Sequence, residues 1–153
     1  MTGRKRVAGT CLLIVSAKMK RTLIVLLPAL LLSGCFVFDS DFDEIDQNFN
    51  IGWIDIHESR MIWYHSQGEM GQREVVTPFV FAYGQNQDFI IAKQHPVYQD
   101  EVDRAITHFF IIRKNQTDFD KSKDVYGPFT QSEFARKLKT LKAGPIKFEK
   151  EYH

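Results

Sequence analysis

Asp55 and His57 stand two residues apart in a stretch that alternates like a β-strand, so both side chains would project from one face. An Asp in that relation can orient an imidazole for general acid–base work. No nucleophile stands in register with the pair, however, and a surface or packing histidine is the simpler reading. A small hydrolase using Asp55 and His57 is therefore kept only as an alternative. The five histidines, at 57, 65, 95, 108 and 153, form neither HExxH nor any paired metal-ligand spacing. Asp118, Asp120 and Ser122 are spaced like the opening of an EF-hand loop. Lys123 occupies the sixth position, where that loop needs Gly, and Phe129 the twelfth, where it needs Glu. No GxSxG, Walker A or dinucleotide-binding glycine pattern occurs. No catalytic residue, metal or cofactor is expected.

The aromatic residues offer a different chemistry. Trp53, Trp63 and Tyr64 fall on adjoining strand candidates and form a candidate exposed binding surface, suited to another protein or a small ligand. The competing reading is that they fill a core.

The elements that would position these groups begin at Phe49. Phe49, Ile51 and Trp53 alternate, and Ile54 and Ile56 then take the opposite parity, which indicates a bulge or burial on both faces. Residues 60–65 predict a second strand after a tight turn at Glu58-Ser59. Residues 75–83 predict a third, with Pro78 demoting its first half to an edge or bulge. Residues 88–93 predict a fourth strand, paired with the third across the turn at residues 84–87. Residues 100–105 read as one helical turn, and residues 107–113 as the strand richest in aromatic and β-branched side chains. A polar turn over residues 115–124 leads to a short strand at Val125-Tyr126. Thr130 and Glu133 then make a capping box, and Phe134, Leu138 and Leu141 follow at helical spacing. Ala143-Gly144-Pro145 ends the helix. The expected fold is α+β: a small, mostly antiparallel sheet of about five strands with one C-terminal helix packed on a face.

The N-terminal region reads as a targeting segment. Lys20 and Arg21 precede an apolar run from Leu23, which ends in Leu32-Ser33-Gly34-Cys35. The run is interrupted by Pro28, Ser33 and Gly34 and is short for a membrane-spanning helix. Leu32-Ser33-Gly34-Cys35 resembles the lipobox of bacterial lipoproteins, which implies lipidation of Cys35 as the first mature residue. The expected division is a signal peptide over residues 1–34, a lipidated acidic tether over 35–48, and a single domain over 49–153. Residues 1–18 read as an over-extended start, with translation beginning at Met19.

All 19 acidic residues lie beyond Cys35, whereas six of the 20 Lys and Arg lie before it, so residues 35–153 carry 14 basic and 19 acidic side chains, a net −5. That balance argues against nucleic acid as a partner, since phosphate binding requires a basic footprint. Cys11 leaves with the leader and an acylated Cys35 has no thiol, which excludes disulfides, thiolate metal sites and Cys nucleophiles from the mature domain.

Two segments carry a further likeness: Phe89-Ile90-Ile91-Ala92-Lys93-Gln94-His95-Pro96, and Phe109-Phe110-Ile111-Ile112 leading to Val125-Tyr126-Gly127-Pro128-Phe129-Thr130-Gln131-Ser132-Glu133-Phe134. A buried strand, a polar turn, Tyr-Gly-Pro and a capped helix resemble a family of small bacterial lipoproteins of uncharacterised function, the DUF3997 type, over residues 52–141. The resemblance implies a lipoprotein domain and brings no catalytic residues with it. The expectation is a membrane-anchored, non-catalytic protein of the bacterial cell envelope. Phe36 rather than Asp follows the cysteine, which by resemblance to Gram-negative sorting signals implies the outer membrane where one exists. Its partners would be membrane lipid, through acylated Cys35, and an unknown envelope protein or small ligand. An immunity-like lipoprotein that neutralises a toxin or lytic enzyme is the alternative, resting on the acidity of the tether.

Overall fold

A computed structural model describes residues 39–66, 71–115 and 118–153. Cys35 and the leader lie outside the described residues. Among the described residues, eleven strands and two helices follow in order: β1 Ser40–Asp46, β2 Phe49–Ile54, β3 Met61–Tyr64, β4 Arg73–Val76, β5 Val80–Gln85, β6 Phe89–Gln94, β7 Val97–Tyr98, β8 Glu101–Val102, β9 His108–Arg113, α1 Lys121–Asp124, β10 Val125–Phe129, α2 Gln131–Leu141 and β11 Lys150–Glu151. They form a four-stranded sheet in the order β1-β2-β3-β4, a five-stranded sheet in the order β10-β9-β6-β5-β11, and the small hairpin β7-β8, with every pairing antiparallel.

A mostly antiparallel α+β architecture and a five-stranded sheet with α2 packed on it are present, but the members of that sheet differ from those expected. The strands read from Phe49 and over residues 60–65 lie in the four-stranded sheet, and β11 takes part instead. The expectation missed the second sheet. Residues 75–83 are not one strand. The chain leaves the first sheet at Val76, turns through Thr77-Pro78-Phe79, and enters the second at Val80. Pro78 cannot donate to a ladder, and Phe79 takes a left-handed φ of 73°, so the break is built into these residues.

Two apolar layers result. Phe49, Ile51, Ile62, Tyr64 and Val76 of the first sheet meet Val80, Ile90, Ala92 and Ile112 of the second in one core. On the opposite face of the second sheet, Phe89, Ile91, Phe109 and Ile111 pack beneath Phe134, Leu138 and Leu141 of α2. β6 and β9 are therefore covered on both faces, which is why their sequences run apolar without alternating. α2 begins with the expected capping box: the Thr130 side chain accepts from the Glu133 N–H, and the Glu133 carboxylate accepts from the Thr130 N–H at 2.9 Å. The helix closes on Lys142 in the left-handed region.

The acidic tether is the largest correction. Residues 40–46 are strand β1, paired with β2 from Ser40↔Ile54 to Asp46↔Phe49. Two of the acids, Asp43 and Asp46, are held by cations from later in the chain. Asp43 accepts from Lys150 Nζ at 2.7 Å and from the Tyr152 hydroxyl at 2.8 Å. Asp46 lies 3.2 Å from Lys114 Nζ. Outward charge also suits an edge strand, where it discourages pairing with other chains.

Three smaller differences complete the comparison. The tight turn at Glu58-Ser59 is a longer loop spanning residues 55–60. The helical turn expected over residues 100–105 is instead the β7–β8 hairpin, with left-handed Gln99 and Asp100 at its tip, as a two-residue hairpin turn requires. The polar turn over residues 115–124 contains the single turn α1.

The Asp43 contacts make a prediction about acid stability. The hydrogen bond from Lys150, followed by that from Tyr152, holds the Asp43 carboxyl below its ordinary value. Its stabilising contribution is therefore complete above pH about 4 and is lost as falling pH protonates the folded-state carboxylate. The pair is partly solvated, so Asp43→Asn is expected to cost less than about 1 kcal/mol at pH 7. That gap should close as the pH falls below the carboxylate range, which chemical denaturation across pH would register.

Candidate functional site

Among the described residues, none of the sequence-derived site residues forms an exposed site. Trp53, Trp63 and Tyr64 are 3%, 7% and 2% exposed, so the proposed aromatic surface is core. Tyr64 lies between Phe49 and Phe119, with ring centroids 5.2 and 4.5 Å away, and Phe42 packs against Trp63 at 5.3 Å. The second sheet and Phe119 cover Tyr64, whereas Trp63 lies on the other face of β3, beside Phe42 of the same sheet. Asp55 and His57 sit in the loop after β2, Asp55 with a left-handed φ of 66°, and no hydrogen bond joins them. The His57 ring stacks on Trp53 at 3.8 Å. The hydrolase alternative thereby loses its geometry.

The EF-hand-like acids have structural partners. Asp120 caps α1 by accepting from the Ser122 N–H, and Asp124 accepts from the Asp120 N–H at 3.0 Å. Lys123, then the Ser122 hydroxyl and N–H, lower the Asp120 carboxyl to about 2. Among the described residues no three His, Cys, Asp or Glu side chains gather as metal ligands, and no helix is long and apolar enough to cross a membrane.

What the structure presents instead is a cleft of about 730 Å³ between the β4 edge of the first sheet and the β6–β9–β10 part of the second. Val75, Val76, Phe110 and Val125 form its floor, and Pro96, Val97, Tyr98 and Pro128 its rim. The cleft exists because the chain changes sheets at Pro78 and because the β7–β8 hairpin stands out beside the opening. Gln94 fixes one wall. This buried amide donates to the Thr77 carbonyl at 2.8 Å, the Thr77 hydroxyl at 2.5 Å and the Pro78 carbonyl at 2.9 Å. His108 and Lys121 are the ionisable side chains at its margin, and Lys121 leans toward Glu74 at 3.6 Å.

Smaller hollows lie elsewhere, and two of them hold charged or aromatic side chains. One, of about 240 Å³, is lined by Glu58, Arg60, His95, Arg104 and Tyr152 among others. Its charges are already engaged: Arg104 contacts Glu58 at 2.5 Å, and the Arg60 guanidinium sits 4.1 Å from the Tyr152 ring. Burial and the neighbouring Asp43 carboxylate keep the Tyr152 phenol protonated far above the usual tyrosine range. The other, of about 570 Å³, lies between α2 and the second sheet and is lined by Phe109, Phe134 and Phe148. Lys93 closes it, 4.4 Å from the Phe148 ring and 2.9 Å from Glu151.

The apolar cleft was not found from sequence. Its walls come from four separate segments, and only Val97-Tyr98, an apolar pair beside Pro96 in a polar stretch, gave a local sign of it.

The fold is a two-sheet α+β domain with an open apolar cleft. The chain belongs to the family described as protein of unknown function DUF3997, whose sequence profile matches residues 46–151. The match extends on both sides of the resemblance read over residues 52–141. No curated protein and no solved structure matches the chain.

Proposed function

We propose that this is a bacterial lipoprotein, fixed to the cell envelope through acylated Cys35, whose domain binds an apolar ligand or an apolar segment of an envelope protein in the cleft. The observation that carries the binding role is the cleft itself. It falls within the size range of small-molecule sites, and it has the usual makeup of mostly apolar walls with a few fixed polar groups. The anchoring rests on Leu32-Ser33-Gly34-Cys35 behind a basic and apolar leader. The domain acts by binding, not catalysis. The immunity-like alternative is not favoured, because Asp43 and Asp46, part of the acidity that motivated it, are engaged by Lys150 and Lys114.

Titration with the neutral apolar fluorophore N-phenyl-1-naphthylamine tests the cleft. The native domain should bind it saturably. Val97→Glu at the rim and Val125→Glu on the floor should each weaken binding by about tenfold or more, since the new carboxylate would lose water without gaining a partner. Circular dichroism checks that each variant is folded. Unchanged binding in both folded variants would place the probe outside the cleft.

A further inference from the structure

The placement of β1 has a consequence for how an anchored domain meets its membrane. With acylated Cys35 as the mature N-terminus, only residues 36–39 separate the lipid from the first strand, about 14 Å of fully extended backbone. Asp39 is itself fixed to the domain, its carbonyl accepting from the Asp55 N–H at 2.8 Å.

The pairings Ser40↔Ile54, Ile62↔Val76, Val80↔Gln94 and Gln94↔His108 bring one end of each sheet to the same side of the domain as this entry point. Arg104 reaches Glu58 at 2.5 Å, which sets the segment over residues 97–106 beside the β2–β3 loop. Six large hydrophobic side chains are exposed among the described residues, and five lie at this end: Ile54 at 47%, Ile56 at 57%, Val97 at 45%, Tyr98 at 53% and Ile106 at 40%. Scattered exposed hydrophobics are ordinary. Their collection at the end where a lipid-bearing chain enters is not.

The geometry points to a membrane-seating surface: this end of the domain rests on the bilayer, with Ile54 and Ile56 entering the boundary between headgroups and acyl chains. The inference rests on the lipidation of Cys35 proposed above. The segments that carry the patch also carry Asp39, Asp55, Glu58, Asp100, Glu101 and Asp103 against Arg60 and Arg104. The excess of acids disfavours an anionic leaflet, so the surface fitted is zwitterionic.

The test uses the full, processed protein reconstituted in phosphatidylcholine vesicles containing spin-labelled lipid. Ile56→Cys supplies a labelling site on the patch, and Gln87→Cys supplies one in the β5–β6 turn at the opposite end. Acylated Cys35 does not react, so an environment-sensitive fluorophore reports one position in each variant. The label at position 56 should emit at shorter wavelength and be quenched several-fold more than the label at position 87. Added phosphatidylglycerol should weaken that difference. Equal, water-like emission from both positions in vesicle-bound protein would overturn the seating and leave the anchor standing. Labelling of Cys35 itself would reveal a free thiol and overturn both.

Discussion

Lys114→Ala is expected to cost about 2–3 kcal/mol of folding stability, more than removal of an ordinary surface lysine by a wide margin. The Lys114 side chain is 7% exposed, and its ammonium lies 3.2 Å from Asp46, which is 17% exposed. It also donates to the Gln85 side-chain oxygen at 2.5 Å, while the Gln85 amide donates to the Ile45 carbonyl at 2.6 Å. These groups join the β1–β2 turn to the second sheet. Removing the lysine strands a partly desolvated carboxylate at the turn that starts β2. The alternative reading, that β1 is a solvated tether, predicts almost no effect. Urea unfolding of Lys114→Ala, Asp46→Asn and the double variant separates the two. The double variant should cost clearly less than the sum of the singles, because the two residues share one interaction.

Gly84→Ala should be similarly disruptive, for a steric reason. A Cβ at this position of β5 would stand 1.9 Å from the Lys147 carbonyl oxygen and 2.8 Å from its carbonyl carbon. Both are backbone atoms and cannot rotate away. The strain must be relieved by moving the C-terminal segment off β5, for a loss of about 2–3 kcal/mol. That movement would open the Glu149 N–H to Tyr83 carbonyl bond at 2.9 Å and the Tyr152 N–H to Phe81 carbonyl bond at 2.8 Å. It would also loosen the grip of Lys150 and Tyr152 on Asp43. Thermal melts and faster hydrogen exchange at the Glu149 and Tyr152 amides check the prediction. Native exchange at those two amides in a destabilised variant would place the strain elsewhere.

Both predictions concern the part of the fold that was hardest to read from sequence. β6, β9 and α2 were legible because each carries a local signature: unbroken apolar runs for the two strands, and a capping box with an i, i+4, i+7 stripe for the helix. β1 was not, because five acids in eight residues read as self-repelling. The cation that offsets Asp43 lies 107 residues further along the chain, beyond any sequence window. Pro78 was seen as a disturbance within one strand, but the passage from one sheet to another depends on tertiary packing. The same omission misplaced the site. With only one sheet in view, Trp63 and Tyr64 had no cover and read as exposed. The second sheet and Phe119 bury Tyr64, while Trp63, on the other face of β3, packs against Phe42 of β1. Where the two sheets part beside Pro78, the cleft opens that replaces these residues as the candidate site.

The pairing of β1 with β2 also bears on anchoring. An acidic tether over residues 35–48 would have let the domain move freely above the bilayer. With β1 folded into the domain, the proposed acylation of Cys35 would hold the cleft-bearing domain close to the membrane surface.

The most direct measurement is the intact mass of the full-length gene product purified from membranes of the expressing bacterium. The mass should correspond to a chain beginning at Cys35 and carrying a thioether-linked diacylglyceryl group, and Cys35→Ala should abolish that modification and its processing. An unmodified Cys35, or a membrane-retained Cys35→Ala protein processed as the native one is, would contradict lipid anchoring.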